Sequence, residues 1–212
     1  MKTLSNIRFG AVAKALIALC LTSAFAFGAN SAAREANVRG FEALVQNNTQ
    51  EAIKEFTQAI NLDPNFANAY NNRGIAYDIL GDESKAIADW TQAIKIDPEY
   101  VSVYVGRGFH HYNSGDISKA IAYYDRAIKI DPKRKQAYDN RGIAYDKLGD
   151  YKKAIEDYTQ AIKLDPEDAT VYNNRGNAYR KLGDIDKANA DFEQAKKIIE
   201  SRPPAPTGYW GD

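Results

Sequence analysis

Five arginines stand about 34 residues apart: Arg39, Arg73, Arg107, Arg141 and Arg175. Sixteen residues after four of them comes a carboxylate, in Glu55, Asp89, Asp157 and Asp191; after Arg107 comes Tyr123 instead. A half-buried guanidinium needs such a partner, so the pattern predicts a repeated Arg–carboxylate tie between helices, within a repeat or to the next one. The rival chemistry for these arginines is capture of acidic ligands. The only histidines, His110 and His111, are adjacent. Neighbours on a helix point about 100° apart, so they do not form the i, i+4 pair that zinc favours. His111 falls in a packing column and reads as a core substitution. The single cysteine, Cys20, lies near the start of the chain, which leaves the body without disulfide, thiolate or cysteine metal site. No Gly-rich phosphate loop or nucleophile elbow is present, so the sequence predicts neither an enzyme nor a cofactor.

The elements that carry these residues are repeats. Gly142 maps onto Gly40, Gly74, Gly108 and Gly176; Ala154 onto Ala52, Ala86, Ala120 and Ala188; Ala161 onto Ala59, Ala93, Ala127 and Ala195. Positions are numbered from 1 at Ala33, Ala67, Val101, Lys135 and Ala169, giving repeats over 33–66, 67–100, 101–134, 135–168 and 169–202. Apolar or small residues at positions 3, 4, 8, 10, 11 and 14 mark one face of a first helix. Gly-Asp follows at 81–82, 115–116, 149–150 and 183–184, with Asn47-Asn48 in the first repeat. Glycine suits the left-handed end of one helix and aspartate caps the next, so the two helices are antiparallel neighbours. A second helix carries small residues at 20 and 27 and a ring at 24. Pro64, Pro98, Pro132 and Pro166 then stop the unit. One helix pair cannot cover its own outer face, so neighbours must stack. In the last repeat Asn189 and Lys196 stand where apolar residues recur, as in a terminal unit, so five repeats are expected to complete the array.

An aromatic, Gly, an aromatic, Gly-Asp, Ala, an aromatic, Ala and Pro, as in Tyr138, Gly142, Tyr145, Gly149-Asp150, Ala154, Tyr158, Ala161 and Pro166, resemble the tetratricopeptide repeat of exported bacterial proteins. Position 7 departs from it, being arginine where the family has an apolar residue. The resemblance implies an all-α solenoid, a right-handed superhelix of stacked helix pairs, that holds peptides or partner proteins on a face lined by the first helices. Carried across position by position, that face holds Asn71, Ile75 and Asp78 in the second repeat, and Val105, Phe109 and Tyr112 in the third. Asp139, Ile143 and Asp146 follow in the fourth, Asn173 and Asn177 in the fifth. Position 9 supplies an apolar row, Phe41, Ile75, Phe109 and Ile143. The asparagines suit a peptide backbone, and Asp78, Asp139 and Asp146 favour a neutral or basic segment. The family's carboxylate-clamp residues are missing, since position 5 never holds lysine. The third repeat is the outlier, and Phe109 with Tyr112 is its candidate centre of specificity.

Residues 1–26 read as an export leader: Lys2, Arg8 and Lys14, then an apolar run from Ala15 to Phe27, then small residues that place cleavage between 26 and 31. An uncleaved anchor through 9–29 is the alternative, and Leu19 argues against lipidation at Cys20. Localisation is thus expected in the periplasm or outside the cell. With three bases in the leader, the body carries about −3, which excludes the basic stripe that nucleic acid requires. The expected role is an exported assembly factor or scaffold; the alternative is an accessory subunit of envelope polysaccharide or secretion machinery. The tail, 203–212, holds Tyr209 and Trp210 among prolines and glycines and reads as extended or disordered.

Overall fold

Each first helix ends in the same way. Gly81, Gly115, Gly149 and Gly183 adopt φ of 78°, 88°, 81° and 84°. The next residue's N–H then turns back onto a carbonyl of the helix, as Asp82 N–H does to Tyr77 O at 2.9 Å and Asp150 N–H to Tyr145 O at 3.0 Å. The aspartate side chain caps the helix that follows. Asp82, Asp116, Asp150 and Asp184 accept from the backbone N–H of Lys85, Lys119, Lys153 and Lys187. In the first repeat Asn47 takes φ 58° and Asn48 accepts from Glu51 N–H at 3.4 Å, so two asparagines perform both tasks.

These turns connect helices α1 (Ser31–Val45), α2 (Thr49–Leu62), α3 (Ala67–Ile79), α4 (Glu83–Ile96), α5 (Val101–Asn113), α6 (Ile117–Ile130), α7 (Lys135–Leu148), α8 (Tyr151–Leu164), α9 (Ala169–Lys181) and α10 (Ile185–Ser201). The computed structural model describes residues 31–201, and no strand occurs among them. The leader, its cleavage window and the tail with Trp210 lie outside the described residues. No described helix is long and apolar enough to cross a membrane. The fold is all-α, built from stacked helix pairs.

Packing divides the chain after Val103 into two units. In the first, α1 packs on α2, α2 on α3 and α3 on α4, and α1 also touches α3. In the second, the order runs α6, α7, α8, α9, α10, and α7 touches α9. Alternate contact of first helices gives each unit one face made only of them.

Close approach within a pair depends on the glycine at position 8. A Cβ at Gly74 would sit 2.7 Å from the Trp90 ring, at Gly142 2.8 Å from Tyr158, and at Gly176 2.7 Å from Phe192; Gly108 meets Tyr124 in the same manner. Trp90, Tyr124 and Tyr158 are almost fully buried, flanked by alanines at positions 20 and 27 that expose nothing. Gly142→Ala therefore sets two effects against each other. Alanine gains about 0.5–1 kcal/mol of helix propensity, while forcing the confined ring aside costs about 1–3 kcal/mol. We expect a net loss of about 1–2 kcal/mol and a melting midpoint lower by about 2–8 °C. An unchanged midpoint would mean that the Tyr158 ring has room to swing.

Candidate functional site

The arginine ties are present at four of the five positions. Arg73, Arg141 and Arg175 each donate two hydrogen bonds, at 2.7–2.8 Å, to Asp89, Asp157 and Asp191 of their own repeats. Arg39 donates one to Glu55 at 2.8 Å. Each of the three half-buried forks also reaches backward. Its Nη1 donates to position 25 of the preceding repeat: Thr57 at 3.0 Å, Asp125 at 2.5 Å and Thr159 at 3.0 Å. The guanidinium lies between the tyrosines at positions 4 and 11, as Arg141 does between Tyr138 and Tyr145 at 5.8 and 6.0 Å. These arginines are thus consumed by structure, and they tie within a repeat and between repeats at once.

In the first unit the first-helix face is sealed by asparagines. Asn37 donates to Asn68 at 3.0 Å, and Asn72 donates to Asn37 at 3.0 Å and to Asn68 at 2.9 Å. Asn68 donates to the Tyr100 hydroxyl at 2.7 Å. Asn71 donates to Asn72 at 3.3 Å, and its own buried Oδ1 meets no donor among the described residues. All four asparagines are buried. Asn71 is therefore part of a closed network and not a solvated arm. Ile75 leans on the cluster around Trp90, and Asp78 is half-buried one turn further on.

In the second unit the face is more open. Val105, Phe109 and Tyr112 fall at i, i+4 and i+7 of α5, as do Asp139, Ile143 and Asp146 of α7. Asn173 and Asn177 occupy the matching places on α9. Phe109 is 40% exposed, whereas Phe41, Ile75 and Ile143 are half-buried against the core. The expected exposed row of four apolar residues at position 9 is therefore reduced to Phe109, because the helix face turns its neighbours inward. Tyr112 also packs inward, against Ala120, Tyr124 and Ala144. Lys181 donates to Asp146 Oδ2 at 2.6 Å, so this carboxylate already holds a cation. The sequence reading missed Lys181; its place 35 residues after Asp146, one repeat and one residue on, is the signal that finds it.

Asp139 is a weakly supported carboxylate. Asn174 donates to it at 3.4 Å. Lys135, one turn before it, gives its ammonium to Asp165 at 2.8 Å and Asp168 at 2.6 Å. Burial, with the nearby Asp168 charge, pushes the Asp139 carboxyl up to about 6; the Asn174 hydrogen bond and Lys135 only partly oppose it. A carboxylate held at such cost is a natural receiver for a cation supplied from outside.

The two histidines divide their roles differently from the sequence expectation. His110 is the buried one, standing where the second, fourth and fifth repeats have Ala76, Ala144 and Ala178. His111 is half-buried and stacks on Tyr123, with ring centroids 5.2 Å apart and planes 4° from parallel. Burial and the neighbouring His110 and Lys119 charges lower the His111 pKa, which favours the neutral ring in the stack. No described group of three His, Cys, Asp or Glu side chains is placed to hold a metal ion.

Stacked antiparallel helix pairs of this kind recur in known proteins. The family model described as TPR repeat matches residues 45–78, 110–149 and 145–183, more than half of the chain, and that described as Tetratricopeptide repeat matches 67–100 and 169–201. The chain belongs to the tetratricopeptide repeat family. Solved tetratricopeptide repeat structures similar to it include a crystal structure of MamA, with 26% identity, 76% of this chain and 94% of that one covered, and a TM-score of 0.65. MamA of Desulfovibrio magneticus RS-1 is 20% identical, with 82% and 99% covered and a TM-score of 0.67. PilF of Pseudomonas aeruginosa is 17% identical, with 79% and 76% covered and a TM-score of 0.73. No curated protein sequence matched the chain. As a tetratricopeptide repeat protein, it is a protein-interaction scaffold.

Proposed function

We propose that this scaffold is exported to the periplasm or beyond, and that it holds a neutral-to-basic segment of one partner protein along the first-helix face of its second unit. The observation that carries this reading is Asp139, a desolvated carboxylate that accepts from Asn174 and whose neighbour Lys135 is engaged by Asp165 and Asp168. A lysine or arginine from a partner would supply the missing charge, Phe109 an apolar anchor, and Asn173 and Asn177 donors and acceptors for a peptide backbone. The leader sequence supports export, and the fold supports assembly work over chemistry.

The test uses the full chain, tagged, expressed with its leader and recovered from the exported fraction. Crosslinks placed beside Asp139 should capture one stoichiometric protein through a basic or neutral segment. Phe109→Ala should then weaken that partner's binding by about tenfold or more, with no change in melting temperature, because the ring is exposed and supports little of the core. Tyr112→Ala should weaken binding too, but also loosen the α6 contact. Equal affinity of wild type and Phe109→Ala would remove Phe109 from the interface, and recovery of a bound glycan would favour an accessory role in polysaccharide machinery.

A further inference from the structure

The second helix of the third repeat departs from its counterparts at two places on one face. Position 23 is a carboxylate in the other repeats (Glu55, Asp89, Asp157, Asp191) and Tyr123 here; position 26 is glutamine in the others (Gln58, Gln92, Gln160, Gln194) and Arg126 here. With Lys119 and Ala122 they fall at i, i+3, i+4 and i+7 of α6, a single face. In the second unit this face and Tyr104 enclose a depression of about 280 Å³ lined by Tyr104, Lys119, Ala122, Tyr123 and Arg126. Lys119, Ala122 and Arg126 are exposed, and the small Ala122 leaves the middle hollow.

Loss of the position-23 acid also changes Arg107. Its guanidinium lies over the Tyr123 ring at 4.8 Å, and its buried Nε meets no acceptor among the described residues. The other repeats spend a carboxylate here; the third gathers Arg107, Lys119 and Arg126 around an aromatic ring. Lys119 is drawn toward the start of α6 by the cap residue Asp116, at 2.7 Å, while Arg126 lies 5.8 Å from the Tyr104 ring. The two cations leave the helix about 10.5 Å apart along its axis, more than one phosphate or carboxylate spans.

We propose that this face docks an acidic helix of a partner protein. Carboxylates seven residues apart on that helix would meet Lys119 and Arg126, and a bulky apolar side chain between them would fill the hollow over Ala122 and pack against the edge of Tyr123, whose ring already carries His111 and Arg107. The docking face lies on α6, apart from the first-helix face that carries Asp139, and it selects the opposite charge.

The probe is a synthetic alanine-based helical peptide with two glutamates seven residues apart and a phenylalanine at the fourth place between them, compared with a twin carrying glutamines. Binding to the full chain is followed by fluorescence anisotropy. The glutamate peptide should bind about tenfold more tightly than its twin at about 50 mM salt, and most of that preference should vanish at about 300 mM. Tyr123→Asp combined with Arg126→Gln restores the residue types of the other repeats and gives Arg107 a carboxylate. This double variant should melt at or above the wild-type temperature and bind both peptides alike. A wild-type chain that does not distinguish the peptides overturns the proposal, as does a double variant that keeps the preference. Displacement by inorganic phosphate at the peptide's own concentration also overturns it, because it marks a simple oxyanion site.

Discussion

Arg141→Met should destabilise the protein by about 3–5 kcal/mol, the largest loss expected from any single charge in it. Methionine keeps an apolar stem between Tyr138 and Tyr145, so little packing is lost. What is left behind is Asp157, whose side chain is only 6% exposed and would face the interior without its cation. Asp125, the other partner, is 53% exposed and returns to water at little cost. Arg39→Met is the matched control. The Arg39–Glu55 tie has a single hydrogen bond and an arginine side chain that is 47% exposed, so its loss should cost about 1 kcal/mol or less. Denaturant titration of the two variants checks the difference. The Arg141→Met deficit should also shrink in acid, as protonation of Asp157 removes the charge that lacks a partner. Equal losses in the two variants would mean that the Asp157 carboxylate is hydrated after all.

Asp139→Asn should move stability the other way. The folded state holds the Asp139 proton up to about pH 6, against an ordinary 3.8 in the unfolded chain. Because the folded form binds that proton more tightly, raising the pH from about 4 to about 6 costs the folded state free energy, and above 6 the full cost remains. That cost is about 1–3 kcal/mol. Asparagine retains an oxygen to accept from Asn174 and carries no charge. The variant should therefore be more stable than wild type above pH 6 and equal to it below pH 4. It should also lose affinity for a basic partner segment. No gain at pH 7.5 would show that the carboxylate is solvated, and a gain without loss of binding would place the partner elsewhere. Groups facing Asp139 include Lys135, Asp168 and Asn174, and its charge also raises the pKa values of buried Tyr124 and Tyr158, so the pH curve is best read as the difference between variant and wild type.

The helix pairs and their ties were legible in sequence because each depends on a residue type that little else can replace. Only glycine avoids the Tyr158 ring at Gly142, and only glycine or asparagine turns the chain at positive φ. The Arg–carboxylate tie could be read because both members recur with the same offset. The backward reach of the same arginines was not, since Thr57, Asp125 and Thr159 are ordinary residues on a helix surface until the neighbouring repeat is placed against them. The asparagines were misleading for a related reason. Asn37, Asn68 and Asn72 each donate and accept, so they satisfy one another in the interior, although asparagines on this face read in the sequence as arms for a peptide backbone. The apolar row at position 9 failed because periodicity gives the side of a helix and not the depth: Ile75 and Ile143 sink against the core, and Phe109 does not. Asp146 was legible as an acid on the right face but not as one already engaged by Lys181.

The backward grip of the arginines has a bearing on how such a chain changes length over generations. Arg175 now holds Thr159 behind it; if recombination excised 135–168, Asp125 would occupy that place, and Arg175 would grasp it as Arg141 does today. A junction that sets Arg73, Arg141 or Arg175 after a threonine or aspartate at position 25 joins a fork to a side chain that accepts from it. At those seams the register of the molecule is copied along with the gene segment, so copy number is free to drift while the seam closes on its own.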